Sequence, residues 1–165
     1  MRKGVRSRVE APVPRFRDLT KREAEGLLRK HQVGRIGFSF RDAVDIRPIH
    51  YVFDNGWIFG RTSESDKLTT LRHNQWVAFE VDEVAGPFDW KSVIAHGTFY
   101  RLEPEGNEYD LKLYDRGLET LRRLMPTALT EADPVPFRTE LFGIAIDSIS
   151  GRSCSSRSKN RAGLQ

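Results

Sequence analysis

The chain has 165 residues, 38% of them hydrophobic, a formal charge of +4 and one cysteine. That length supports one core rather than two domains, and a lone Cys154 excludes an intrachain disulfide framework, a zinc knuckle or a Cys-His nucleophile pair. No apolar run is long enough for a transmembrane segment or a signal-peptide core, so the expected location is cytoplasmic.

The basicity lies at the ends. Residues 1–17 carry +5 and residues 151–165 carry +4, which leaves the body, 18–150, at −5. The expected organisation is a basic flexible tail over 1–17, one domain over 18–150 and a second basic flexible tail over 151–165. An acidic body argues against a folded nucleic-acid surface, and the basic ends leave only weak, salt-dependent attraction to polyanions.

Thr20-Lys-Arg-Glu23 has the form of a capping box, and Ala24, Leu27 and Leu28 follow at helical spacing, so a helix is expected to about His31. Ile36, Phe38 and Phe40 alternate as a strand, and Arg41-Asp42 turns the chain into a second strand from near Val44. There Ile46, Pro48, His50 and Val52 share one face and Arg47, Ile49, Tyr51 and Phe53 the other, so both faces are expected to touch something. Asp54-Asn55-Gly56 is a type I′ hairpin signal, returning through Trp57-Ile58-Phe59.

A short helix is expected over 64–74, then strands over Trp76–Val81 and Trp90–Leu102, separated by a loop from Asp82 to Asp89. Gly97 marks a bend or a close backbone approach. Asn107 caps a longer helix with Leu111, Tyr114, Leu118, Leu121 and Met125 at spacings of three and four. A proline-containing loop over 126–136 leads to a last strand, Leu141–Ile149. Six strands in hairpin order with helices between them predict a mainly β protein, a small antiparallel barrel with peripheral helices.

Arg61, Thr62, Ser63, Ser65 and Lys67 place two cations and three hydroxyls where a strand gives way to a helix. Free amides, a positive dipole end and charged donors suit a phosphate monoester; the same residues also suit an ordinary capped helix with a solvated basic rim. Across the hairpin, the backbone of Pro48, Ile49, His50, Tyr51 and Val52 can face the same cleft and accept a flat heterocycle. Trp90 and Ser92 offer an aromatic wall and a hydroxyl, or plain core packing. The four histidines lack paired metal-ligand spacing, so no metal site is expected, and no Ser-His-Asp order or carboxylate pair suggests hydrolysis.

These pieces, taken in order, resemble the pyridoxamine 5′-phosphate oxidase-like, FMN-binding split β-barrel proteins, in particular the branch related to nitroimidazole-resistance proteins. The resemblance covers roughly 18–150. It rests on Val33-Gly-Arg-Ile-Gly-Phe, Pro48-Ile-His-Tyr-Val-Phe, Thr62 and Ser63 with Lys67 ahead of Leu71 and Asn74, Val77-Ala-Phe-Glu-Val-Asp82, and Trp90-Lys-Ser-Val with Gly97. It implies a six-stranded split barrel and a homodimer with FMN at the interface. It also implies a flavin-dependent oxidoreductase acting on a small aromatic or nitro-aromatic compound, with a nicotinamide reductant. Arg61, Thr62, Ser63 and Lys67 fall where the family grips the phosphate, the Pro48–Val52 backbone falls along the ring, and Trp90 and Ser92 fall near the ring or ribityl chain. The same barrel also hosts F420-dependent reductases and non-enzymatic flavin binders. The Arg, His and Tyr cluster of a pyridoxal-phosphate site has no match in the polar segment after Gly151.

Overall fold

A computed structural model describes residues 13–64 and 71–157. Among the described residues seven strands form one antiparallel sheet: β1 (Val13–Asp18), β2 (Val33–Phe40), β3 (Ala43–Asp54), β4 (Trp57–Thr62), β5 (Trp76–Gly86), β6 (Asp89–Leu102) and β7 (Glu140–Arg157). Their order is β1-β7-β4-β3-β2-β5-β6, and a further β6–β7 pairing closes β2 to β7 into a six-stranded barrel. Peripheral to the sheet lie the helices α1 (Lys21–Lys30) and α2 (Glu108–Arg122).

The local chemistry explains these elements. Thr20 accepts from the Glu23 amide while Glu23 accepts from the Thr20 amide, so the capping box forms as expected. Arg41 and Asp42 lie at φ 49° and 65°, and Asn55 and Gly56 at 42° and 80°, the paired positive angles of tight hairpin turns. Gly97 is required: a Cβ there would lie 2.1 Å from the Ala145 carbonyl oxygen. The β6–β7 register shifts between His96 and Gly97, where the wall bends.

Tyr51, Phe79, Ile36 and Ile58 fill the barrel, and Ala24, Leu27 and Leu28 of α1 pack into the same core. A second, smaller core of Phe59, Leu102, Leu121, Ala128 and Leu141 includes the buried face of α2. β4 is buried from Ile58 to Thr62 without alternation because one of its faces meets each core.

Two expected boundaries are corrected. The segments read as flexible tails pair with each other over their described parts, Val13 opposite Arg157 through Asp18 opposite Arg152. Ladder hydrogen bonds along β7 order them despite their polarity. Residues 1–12 and 158–165 lie outside the described residues. The expected loop from Asp82 to Asp89 is instead mostly ladder, with Val84 opposite Trp90 and Gly86 opposite Asp89, so only Pro87 and Phe88 turn. Of the expected 64–74 helix, residues 71–73 are helical, and its first turn, with Ser65 and Lys67, falls outside the described residues.

No helix among the described residues is long and apolar enough to cross a membrane, which leaves β-strand spanning unaddressed.

Candidate cofactor site

The barrel has a seam. β3 and β4 pair from Asp54 opposite Trp57 only as far as Tyr51 opposite Gly60. Beyond that point β4 continues along β7, with Arg61 opposite Leu141 and Thr62 opposite Glu140. β3 continues along β2, with His50 opposite Val33 and Pro48 opposite Arg35. Among the described residues no strand pairs with β3 between Ala43 and His50 on the β4 side, so main-chain groups of that stretch are left for a ligand or solvent. Thr62, 7% exposed, and half-buried Ser63 stand where β4 leaves the seam.

The β3 side chains divide by face. Ile49 and Tyr51 enter the core, Tyr51 donating its hydroxyl to the Leu28 carbonyl at 2.8 Å and meeting the Phe79 ring edge-on at 4.8 Å. Burial pushes the Tyr51 phenol above its ordinary pKa, so it is a neutral structural hydroxyl. Pro48 and His50 are exposed and Val52 half-buried on the opposite, outer face. The Pro48–Val52 stretch therefore offers backbone to the seam and three side chains to the outside.

That outer face continues over β2, β5 and β6. One row runs Ile46, Gly37, Ala78, His96, and the next runs Pro48, Arg35, Glu80, Ile94. Gly37 and Ala78 make the middle of the first row shallow, and Trp76 stacks on His96 at 6.2 Å. Arg35 bonds Glu80 at 2.9 Å and Asp82 at 2.7 Å, which raises its pKa through hydrogen bonds first and charge second. Ser92 donates to Glu80 at 3.4 Å, so it joins this row by a side-chain link.

Two expected site residues are placed elsewhere within the chain. Arg61 faces the second core: its buried guanidinium pairs with both oxygens of buried Asp133, and Nη2 lies 3.7 Å from Met125 Sδ. Strand alternation puts it on the same side as Phe59, and a cation buried there needs a carboxylate more than it can serve an outside anion. The expectation that Arg61 grips a phosphate is corrected on that ground. Trp90 packs edge-on against Phe16 at 6.2 Å. It lies four residues along β6 from Ile94, about 13 Å at the rise of an extended chain.

Reading the sequence missed Asp133, Arg35 and the Gly37–Ala78 trough. Gly37, between the alternating core residues Ile36 and Phe38, and Ala78, between Val77 and Phe79, were the available signal for the trough. Asp133 sits in an irregular loop, 72 residues from Arg61, with no spacing to betray the pair. Among the described residues no His, Cys, Asp and Glu cluster could hold a metal.

The donor set fits a flavin by its chemistry: unpaired main chain for the edge of a flat ring, a shallow outer trough, and two hydroxyls at the strand end. A closed six-stranded β-wall opened at one seam and flanked by helices is a split β-barrel. A family model described as pyridoxamine 5′-phosphate oxidase matches residues 20–153, and the chain belongs to that family. No curated protein matches the sequence. Among solved structures, an FAD-binding protein from Mesorhizobium loti is similar at 23% identity and TM-score 0.65, covering 83% of this chain and 96% of its own. An FAD-binding protein from Mycobacterium smegmatis is 26% identical with a TM-score of 0.58, covering 82% and 98%. A protein proposed to confer 5-nitroimidazole antibiotic resistance in Bacteroides thetaiotaomicron is 14% identical with a TM-score of 0.64, covering 86% and 89%.

Proposed function

We propose that this chain is an FMN-dependent oxidoreductase that works as a homodimer on a small aromatic or nitro-aromatic compound, with a nicotinamide as reductant. The observation that carries the reading is the seam, where β3 lacks a partner strand from Ala43 to His50 beside Thr62 and Ser63. Family membership and the flavin-binding relatives support it.

In this reading Thr62, Ser63 and Lys67 hold the phosphate, and the Pro48–His50 backbone aligns the ring edge. The bound flavin supplies hydride and electron transfer. The chain's own residues bind, orient and exclude water, so no acid or base of its own is needed. A second copy covers the outer face, bringing its own Trp90 and Ser92 toward the ring, which accounts for the distance of Trp90 within one chain.

Absorbance of the purified protein, with mass analysis of released cofactor, tests the proposal, followed by parallel titration with FMN, FAD and F420. The expected result is a yellow protein that retains FMN, with Ser63→Ala and Lys67→Ala each weakening FMN by about ten-fold through a lost charge-assisted bond. Preference for FAD or F420 would replace the cofactor assignment. A colourless protein that responds to none of the three would sink the reading.

A further inference from the structure

At the hairpin end of β4, on the α2 side, lies a cavity of about 440 Å³ bordered by Trp57, Tyr100, Tyr109, Glu103, Glu105 and Asp110. It is distinct from the seam: Trp57 is five residues from Thr62, about 17 Å along an extended strand. Its volume lies within the range of small-molecule sites.

The aromatic wall is built in. Trp57 lies on Phe59 with 5° between ring planes and centroids 5.7 Å apart, and Tyr100 approaches Trp57 at 5.9 Å and 44°. Gly143 permits this, since a Cβ there would come within 3.1 Å of Trp57 Cε3 and Cζ3. The indole is thus held by its backing strand, with Tyr100 beside it.

The charge at the cavity is negative. Among the described residues Arg101 is its one bordering cation, and that charge is balanced by Glu140 at 2.7 Å and Glu103 at 3.2 Å, the latter within ion-pair range but without hydrogen-bond geometry. Asp110 is engaged in capping α2 through the Asn107 amide at 3.3 Å. Exposed Glu105 has no hydrogen-bond or ion-pair partner among the described residues. A rigid aromatic pair beside an unspent carboxylate favours a cation that carries apolar surface, because ring faces and carboxylate attract the same charge.

We propose that this cavity binds an organic ammonium cation bearing an aryl or alkyl body, with the cationic head between Trp57 and Glu105. The site is independent of the flavin reading and is present with or without the cofactor.

The test uses the full-length protein, apo and flavin-loaded, titrated with benzyltrimethylammonium and followed by the indole N–H resonances of its three tryptophans. The Trp57 resonance, assigned by its loss in Trp57→Phe, should shift saturably while those of Trp76 and Trp90 stay. Benzyl alcohol and benzoate, neutral and anionic counterparts, should bind at least about three-fold more weakly. Glu105→Gln, an exposed change that leaves the fold intact, should weaken the cation by about three-fold or more, and Trp57→Leu, followed by saturation transfer to the probe's own protons, should lose probe binding while the other two indoles report a folded chain. No shift at about 10 mM probe, equal binding of benzyl alcohol, or an unaltered Glu105→Gln titration would overturn the proposal.

Discussion

Asp133 shows how much one side chain can organise. Its carboxylate takes the Arg61 guanidinium and accepts from the Leu129 amide at 2.8 Å and the Val135 amide at 2.9 Å. Leu129 is held at φ 57°, a left-handed conformation uncommon for a residue with a side chain. The Arg61 hydrogen bond, followed by the two amides, outweighs burial and holds the Asp133 carboxyl well below the usual carboxylate range. The unfolded chain then takes up the proton first. The pair therefore contributes fully above the ordinary Asp range, about pH 4, and its contribution drains away as pH falls toward the native value. Asp133→Asn should melt well below the wild type at about pH 7, and the two melting temperatures should converge as pH drops toward about 2. A gap that stays constant with pH would show that the carboxylate charge is not what matters. The same pair explains why the sequence misled at Arg61. A run of cations and hydroxyls displays donors, but only strand parity and a distant aspartate decide which of them is turned inward.

Single elements were legible where periodicity and caps agreed. α2 begins where Asn107 accepts from the Tyr109 and Asp110 amides at 2.9 Å and 3.1 Å, and Asp110 answers back to the Asn107 amide. Asn107→Ala should cost about 1 kcal/mol, measured by urea unfolding with an unchanged denaturant slope. Since α2 covers the second core and borders the Trp57 cavity, fraying at this cap should also broaden the Trp57 indole resonance before global unfolding. The strand boundaries were less legible. Val13-Pro-Arg-Phe-Arg-Asp has no apolar face to announce a strand, and it becomes β1 because β7 runs on past the barrel and offers an unpaired edge at Arg152–Arg157. Likewise, Gly86-Pro87 gives a valid turn signal, but Val84 and Trp90 extend the ladder on either side of it. The chemistry of a turn fixes its position and leaves the length of the flanking ladder to tertiary pairing.

At the scale of the whole molecule, the six barrel strands close into a ring, the seam leaves one side of β3 unpaired, and the outer β3-β2-β5-β6 face keeps large apolar groups in water. Val44 is 74%, Ile46 64%, Trp76 53% and Ile94 40% exposed. Scattered exposed apolar residues are normal, but these belong to neighbouring rows of one face that also carries the Gly37–Ala78 trough. The proposed homodimer buries them, and a cofactor held between two copies makes assembly and flavin affinity rise and fall together. The wild type should sediment at twice the chain mass of 19.0 kDa. Ile94→Arg changes a solvent-facing residue, so the monomer should stay folded by circular dichroism while the dimer dissociates at micromolar concentration and FMN binding weakens in parallel. Trimming an exposed charge far from that face, with Lys112→Ala on α2, should alter neither property, which separates interface loss from general surface effects. A monomeric Ile94→Arg that kept full FMN affinity would place the flavin within one chain. A monomeric wild type would remove the second copy from the proposed site altogether, leaving the seam backbone, Thr62, Ser63 and Lys67 to hold the cofactor alone.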